Sequence, residues 1–188
     1  MNEQGPNKED VRPDPRNAPL DEVIRHLEAA HDVFRQDAMP RLLMLAQEAV
    51  EAQACFYGAV LEVLYDDVAG IVPTLQLHFD REERELFPHV RSIEAAARRG
   101  SREPVDALAL VRHEHENAAD VLGRMRRLTG NYALPHDAGE AFAELYEALD
   151  AFENDLLEHI GWEELLVSRT VSVQRRMIRG VRDEQLPM

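Results

Sequence analysis

Cysteine is nearly absent from this chain of 188 residues, since Cys55 is the only one. A single cysteine cannot close an internal disulfide, and it cannot supply the thiolates of a cysteine-only metal site. Any metal ion would therefore be held by histidine and carboxylate side chains. Without a disulfide framework, the default expectation is a reducing, cytoplasmic compartment.

Positive charge is also scarce, and so are long apolar runs. The 21 lysine and arginine residues face 36 aspartate and glutamate residues, which gives a formal net charge of −15. Nucleic acids are bound by basic surfaces, so this balance argues against a nucleic-acid partner. The sequence lacks the roughly 18 uninterrupted apolar residues of a membrane-spanning helix, and its polar N-terminus lacks the apolar core of a signal peptide. We expect a soluble protein that binds neither nucleic acid nor a membrane.

What the sequence does contain, from Leu20 onward, is helical periodicity. Apolar residues recur every three or four positions, and Ala, Leu, Glu and Arg dominate. Clusters of Gly, Pro and small polar residues predict turns in residues 97–104 and 129–140. Asp137 and Glu140 have the spacing of a capping box, which predicts that the last main helix starts there.

This pattern predicts an all-α fold, namely an up-down-up-down four-helix bundle over residues 19–170. Residues 1–18 are polar and rich in proline, so they are predicted to be a disordered tail. Residues 171–188 are predicted to form a C-terminal helical extension, which either continues the last helix or turns away from it. The first turn is the hardest to place, because residues 46–65 could be helical throughout and Gly58 is their only helix breaker.

Four histidines lie on the apolar stripes of the predicted helices. Steps of three or four residues along each helix place one histidine per stripe among apolar neighbours, namely His31, His78, His115 and His159. The second and fourth stripes also carry a glutamate one turn later, Glu82 and Glu163. Because burial of an unpaired carboxylate costs several kcal/mol, two such glutamates beside histidines indicate a bound cation.

The register of these residues distinguishes them from chance pairs of histidine and glutamate. In an up-and-down bundle, residues at one level are equally far from the turn that separates them. The midpoints between successive histidines fall near Cys55, near Ala97 and at Asp137, and the last two lie on or beside predicted turns. The first midpoint therefore places the uncertain first turn near Cys55 to Gly58.

A layer of four histidines and two glutamates predicts a dinuclear metal site. Imidazole with carboxylate suits iron, manganese or zinc, and zinc favours four ligands. Two imidazoles, two bridging carboxylate oxygens and one bridging oxo or hydroxo group would leave one position open on each six-coordinate ion. A small molecule such as dioxygen, nitric oxide or peroxide could bind there. We therefore expect two metal ions, and the residues alone leave iron, manganese and zinc open.

Four stretches of the chain resemble the hemerythrin-like (HHE cation-binding) family: LDEVIRHLEAAHDVFRQDAMPRL, LHFDREERELFPHV, VRHEHENAADVLGRMRRLTGNYALP and LYEALDAFENDLLEHIGWEE. The resemblance runs from about Ala18 to Ser168. It is strongest to the di-iron subgroup with four histidines and two glutamates, whose members are linked to repair of iron-sulfur clusters under nitrosative and oxidative stress. It implies a four-helix bundle that binds two iron ions, which manganese or zinc could replace, through His31, His78, Glu82, His115, His159 and Glu163.

The resemblance to oxygen-carrying hemerythrins is weaker. Those proteins have an H-x-x-x-H pair on the third helix and an aspartate as the second bridge, whereas His115 is followed four residues later by Ala119, and Glu163 stands at the bridge. The resemblance thus implies a stress-response protein that reacts with nitric oxide, dioxygen or peroxide, or that donates iron for cluster repair. Two alternatives stay open: a module that senses or binds dioxygen or iron reversibly without turnover, and a structural helical protein.

The remaining polar residues have simpler interpretations. Glu83 and Arg84 are interpreted as part of a solvent-facing helix surface with helix-spaced charge pairs. A third His-x-x-x-Glu pair, His136 with Glu140, straddles a predicted helix start and is interpreted as a chance pair. The arginines between residues 175 and 182 could pair with an acidic surface of a second subunit, which would give a homodimer.

Overall fold

The computed structural model describes residues 14–99 and 108–184, and their regular structure is entirely helical. Two five-residue π-helical segments, Phe34–Ala38 and Glu82–Leu86, join the first three α-helices end to end. The five α-helices are α1 (Leu20–Val33), α2 (Met39–Arg81), α3 (Phe87–Arg99), α4 (Leu108–Leu128) and α5 (Glu140–Glu184). The predicted all-α fold is confirmed. Within the described ranges, the helices are too polar or too short to cross a membrane.

The chain reverses its direction within α2. Arg35 and Asp80 lie near opposite ends of this 43-residue helix, yet an ion pair of 3.0 Å joins them. A straight helix of that length would hold its ends about 65 Å apart. The sequence midpoint of Arg35 and Asp80 lies near Tyr57, and so does that of His31 and Glu83, which are also in contact. α2 therefore consists of two antiparallel arms, and they meet where the first turn was predicted, although the helix bounds include no loop there.

Contacts between the other helices also run in antiparallel order. On α2 and α4, Asp67 pairs with Arg124, while the ring of His78 lies 5.0 Å from that of His115. On α4 and α5, Arg126 pairs with Glu153 while His115 contacts Glu163. In both pairs of helices, the residue nearer the end of one helix contacts the residue nearer the start of the other, which is the order of antiparallel helices. The four rods of the bundle, namely α1 with the first arm of α2, the second arm of α2 with α3, α4, and α5, therefore alternate in direction as predicted.

Two apolar clusters lie on either side of the histidine level. The larger cluster fills the part of the bundle towards Tyr57 and includes Phe34, Leu64, Phe79, Leu122, Leu149 and Phe152. The smaller cluster lies towards the start of α1 and includes Leu20, Ile24, Leu27, Phe87, Val90 and Trp162. Because burial of each large apolar side chain contributes about 1.5–3 kcal/mol, these clusters hold the rods together above and below the polar layer.

A proline explains the position of each π-helical segment. Pro40 and Pro88 each stand two residues after one of the segments. Proline cannot donate to the carbonyl four residues back, and its ring clashes with that carbonyl. Those carbonyls belong to Gln36 and Arg84, which lie within the π-helical segments, where the wider turn relieves the clash.

The loop between α4 and α5 begins with a Schellman motif. Gly130 has a positive φ of 59° and donates its amide to the carbonyl of Arg127, while Asn131 donates to Arg126. The predicted capping box is wrong, because α5 starts only at Glu140 and the amides of Phe142 and Ala143 donate to the carbonyl of Gly139. The carboxylate of Asp137 instead accepts a hydrogen bond from the hydroxyl of Tyr57.

The ends of the described chain bear on the predicted domain boundaries. Residues 1–13 of the predicted tail lie outside the described residues. Residues 14–18 make a hydrogen-bonded turn against α5, since the guanidinium of Arg169 donates to the carbonyls of Pro15 and Ala18. At the other end, α5 runs without interruption to Glu184, so residues 171–184 of the predicted extension continue the last helix.

Candidate metal centre

All six predicted ligands meet at one level of the bundle. The four rods each supply one histidine, and the second and fourth rods add the two glutamates. The six residues are buried, with at most 7 % of any one exposed. The apolar stripes place them there: His31 stands between Leu27 of the smaller cluster and Phe34 of the larger one, and His159 stands between Leu156 of the larger cluster and Trp162 of the smaller one. The structure brings together His31, His78, Glu82, His115, His159 and Glu163.

The six residues form two overlapping groups of potential ligands. Position A comprises His31 and His159, and position B comprises His78 and His115; both positions share the two glutamates. Within each group, the nearest donor atoms lie within 4.8 Å of one another. This spacing is compatible with one metal ion at each position.

Each glutamate directs its two oxygens to different positions. Oε2 of Glu82 lies 3.3 Å from Nε2 of His31, whereas its Oε1 lies 3.5 Å from Nε2 of His78. Oε1 of Glu163 lies 2.5 Å from Nε2 of His159, whereas its Oε2 lies 2.7 Å from Nε2 of His115. Both carboxylates are therefore oriented as bridges between the two positions.

The donor atoms of this layer are buried without adequate partners. Among the described residues, both oxygens of Glu82, both oxygens of Glu163 and Nε2 of His115 are buried and lack a hydrogen bond. Nε2 of His115 is close to Oε2 of Glu163 but without hydrogen-bond geometry. This is the arrangement expected of lone pairs that converge on a third atom. The residues therefore fit a pair of cations, which would offset the cost of burying two carboxylates.

The acid-base properties of the layer support the same conclusion. Burial and the nearby charge of Glu163 raise the pKa of Glu82 to about 8. Burial also opposes the charge of Glu163, but His159 and His115 outweigh it and lower the pKa of this carboxyl. For His31, burial is outweighed by Glu163 and Glu82, which raise its pKa to about 9. Without metal ions, the layer must hold protons to balance its charges, and bound ions would displace these protons.

Glu83 belongs to the centre although the sequence assigned it to the solvent. Its Oε1 lies 2.8 Å from Nδ1 of His31 and also accepts a hydrogen bond of 2.7 Å from Arg35. Arg35 in turn donates to Asp80 over 3.0 Å. The interpretation of Glu83 as a purely solvent-facing residue is therefore wrong. Helical periodicity could not reveal this contact, because the partners of Glu83 lie on another rod. Glu83 is also 31 % exposed, so it does not belong to the apolar stripe that identified the six ligands.

Aromatic rings enclose position A. The ring of His31 stacks on Phe79 with 4.1 Å between centroids and on Phe87 with 5.7 Å between centroids. The imidazole of His31 is 0 % exposed. The two phenylalanines thus keep water away from this ligand and restrict its rotation.

Position B faces a cavity of about 220 Å³ between α2, α4 and α5. Its wall includes His78 and His115 from position B and also His159. The rest of the wall combines charged residues, namely Asp66, Asp67 and Arg124, with apolar ones, namely Ile71, Leu75, Ala118, Val121, Leu156 and Ile160. A cavity of this size and polarity can admit a small uncharged molecule to the metal level.

Residues 24–171 match the hemerythrin HHE cation binding domain. The chain belongs to this family. Curated relatives with the name iron-sulfur cluster repair protein YtfE are 29 % identical over 158 residues in Edwardsiella ictaluri and 32 % identical over 159 residues in Musicola paradisiaca. The match to the Edwardsiella protein covers 84 % of the chain and 68 % of that protein. The match to the Musicola protein covers 81 % of the chain and 65 % of that protein, so the chain spans about two thirds of the length of these relatives.

A third relative is close in length to the chain. It is the iron-sulfur cluster repair protein DnrN of Neisseria gonorrhoeae, which is 30 % identical over 156 residues. The match covers 82 % of the chain and 93 % of the relative. The sequence-based assignment to the hemerythrin-like family is confirmed, as is the resemblance to repair proteins.

Proposed function

We propose that the chain is a non-heme di-iron protein that acts in the response to oxidative and nitrosative stress. Positions A and B would each hold one iron ion, and Glu82 and Glu163 would bridge the two ions together with an oxo or hydroxo group. The observation that carries this proposal is the orientation of the two glutamates, each with one oxygen towards each position.

The relatives support the stress-response role. Three of them, from Edwardsiella ictaluri, Musicola paradisiaca and Neisseria gonorrhoeae, are named iron-sulfur cluster repair proteins. A repair protein of this kind would either react with nitric oxide, dioxygen or peroxide, or donate iron to a damaged cluster. Both activities require iron that is held by protein side chains and is accessible to a small partner, which agrees with the cavity beside position B.

Each part of the site has a physical task in this proposal. Bound iron would supply the redox chemistry and the open coordination positions. The four histidines would hold the ions through Nε2, and the two glutamates would neutralise part of their charge. Phe79 and Phe87 would exclude water from position A, and the cavity would bring small molecules to position B.

Metal analysis with optical spectroscopy tests the proposal. The protein is expressed with ample iron, purified, and analysed for iron per chain and for visible absorption before and after addition of dithionite. We expect about two iron ions per chain and oxo-bridge absorption bands that dithionite bleaches. Iron-free protein after iron-replete expression would refute the proposal.

A kinetic measurement separates this function from reversible sensing. The iron-loaded protein is mixed with an excess of peroxide or nitric oxide, in the presence of a chemical reductant, and consumption is counted per chain. A reacting di-iron protein consumes the small molecule over many cycles. Consumption that stops at one equivalent per site, with full reversal on removal of the ligand, would support the sensing alternative.

A further inference from the structure

The two nitrogens of the His31 ring face different partners. Nε2 faces Nε2 of His159 at 3.1 Å and the carboxylate of Glu82 at 3.3 Å, within the ligand layer, whereas Nδ1 faces the carboxylate of Glu83 at 2.8 Å. An anionic acceptor at Nδ1 keeps the ring proton on that nitrogen and leaves the lone pair of Nε2 free for a metal ion. It also makes the imidazole a stronger electron donor.

Glu83 is itself held in place by the opposite rod. Arg35, in the first π-helical segment, donates to Glu83 over 2.7 Å and to Asp80 over 3.0 Å. The guanidinium thus links two carboxylates on the second rod to the first rod, which carries His31. Because Arg35 is itself 23 % exposed and Glu83 is 31 % exposed, this linkage is partly shielded from water. A carboxylate fixed in this way holds the His31 ring in one orientation.

The surroundings of the two positions differ in access as well. His31 lies between Phe79 and Phe87, so its ring cannot turn away from a metal ion without breaking both stacking contacts. Both histidines of position B belong to the wall of the cavity, whereas position A contributes His159 to that wall. His159 also lines a second cavity of about 340 Å³, but His31 lines neither of these two cavities. Water or a chelator that enters them therefore meets both histidines of position B but only one histidine of position A.

We propose that the two metal positions are inequivalent and that Glu83 is the positioning residue responsible: the ion at position A is retained, while the ion at position B exchanges first. This inference rests on the proposed di-iron function. If iron donation is the activity, the donated ion would be the one at position B. The protein would then keep one ion at position A, ready to take up a second.

Release of iron to a chelator measures the inequivalence. The protein is loaded anaerobically with two equivalents of iron(II), mixed with excess ferrozine, and followed by the absorbance of the ferrozine complex. We expect a fast and a slow phase of one equivalent each in the unmodified chain. Mutation of a residue that hydrogen-bonds a ligating histidine typically lowers metal affinity 10–100-fold. Glu83→Ala should therefore accelerate the slow phase by about tenfold or more and leave the fast phase unchanged.

A graded series distinguishes positioning from a general loss of stability. Glu83→Gln keeps a neutral acceptor at the same place, so its slow phase should be intermediate between those of Glu83→Ala and the unmodified chain. Arg35→Met removes the support of Glu83 and should accelerate the slow phase less than Glu83→Ala does. The matched control is Glu85→Gln, an equal change of charge at an exposed residue of the same π-helical segment, and it should leave both phases unchanged.

A ligand variant assigns the phases. His115→Gln weakens position B and should remove the fast phase while one slowly released equivalent remains. A single phase in the unmodified chain, or equal acceleration of both phases by Glu83→Ala, would overturn the inference. If Glu83→Ala does not fold, as judged by circular dichroism, Glu83→Gln and Arg35→Met decide the matter. Failure to bind iron at all would refute the proposed di-iron function instead.

Discussion

At the scale of single residues, the candidate centre depends on two glutamates that are almost completely buried. Glu82 is 1 % exposed and Glu163 is 0 % exposed, and all four of their oxygens lack hydrogen bonds within the described part of the chain. A protein tolerates such groups only when another charge compensates them. The histidines compensate part of the charge in the protein alone, and a pair of metal ions would compensate the rest.

Replacement of one bridge tests this dependence. Glu163→Gln keeps the shape of the side chain but removes the negative charge and places an amide N–H group where a metal ligand is required. We expect bound iron to fall from two ions per chain to one or none, as measured by elemental analysis after reconstitution. Glu164→Gln is the matched control, because the neighbouring residue is exposed; it should keep both ions. Two ions in both variants would show that Glu163 is not a bridge.

The same scale shows what helical periodicity can and cannot predict. A step of three or four residues identified all six side chains of the layer, because these side chains must share the apolar stripes. Glu83 was not identified as part of the centre, because it stands next to Glu82 and points to the edge of the stripe. Its role depends on Arg35 and His31, which are about 50 residues away along the chain. Only the arrangement of the rods brings them together.

At the scale of helices, one face of α5 carries both core side chains and ligands of the candidate metal centre. Phe152, Leu156, His159 and Glu163 recur at helical spacing and are all buried, whereas Leu157 is 44 % exposed. Adjacent leucines of α5 therefore differ in burial because they lie on different faces. This difference supplies a matched pair of substitutions.

The pair Leu156→Ala and Leu157→Ala tests the orientation of α5. Leu156 is 1 % exposed within the larger apolar cluster, so its truncation should lower the free energy of unfolding by about 2–5 kcal/mol. Truncation of the exposed Leu157 should change it by about 0.5 kcal/mol or less. Chemical denaturation of both variants measures the two values. Similar losses in the two variants would contradict the helix orientation described above.

Helix ends and helix interruptions were harder to predict than helix faces. Asp137 and Glu140 had the right spacing for a capping box, but α5 begins at Glu140, and the hydroxyl of Tyr57 binds Asp137. The π-helical segment before Pro88 was not predicted either, because it depends on how a single proline ring is accommodated. Such details follow from local sterics and long-range partners, whereas the apolar period reports only which face is buried.

At the scale of the whole molecule, the centre joins all four rods. His31 lies on the first rod, His78 on the second, His115 on the third and His159 on the fourth. Two ions held by these residues would cross-link the bundle at one level, between its two apolar clusters. Metal binding and folding should therefore be coupled. The homodimer expected from the C-terminal arginines stays a prediction.

Thermal unfolding with and without metal measures this coupling. A ligand at 100 times its dissociation constant stabilises the folded state by about 2.7 kcal/mol. In a chain of this size, that corresponds to a rise in melting temperature of about 5–10 °C. We expect such a rise when iron(II) is added anaerobically to the metal-free protein. His159→Gln, which lacks a ligand at position A, should show a clearly smaller rise, and an equal rise in both proteins would contradict the coupling.

The central claim is that Glu82 and Glu163 bridge two metal ions, each held by two of the four histidines. Crystals of the iron-reconstituted protein, measured at the iron absorption edge, test it most directly. The account predicts two anomalous peaks about 3.5 Å apart, one at position A and one at position B, with both carboxylates between them. A single peak, or two peaks without a shared carboxylate, would contradict it.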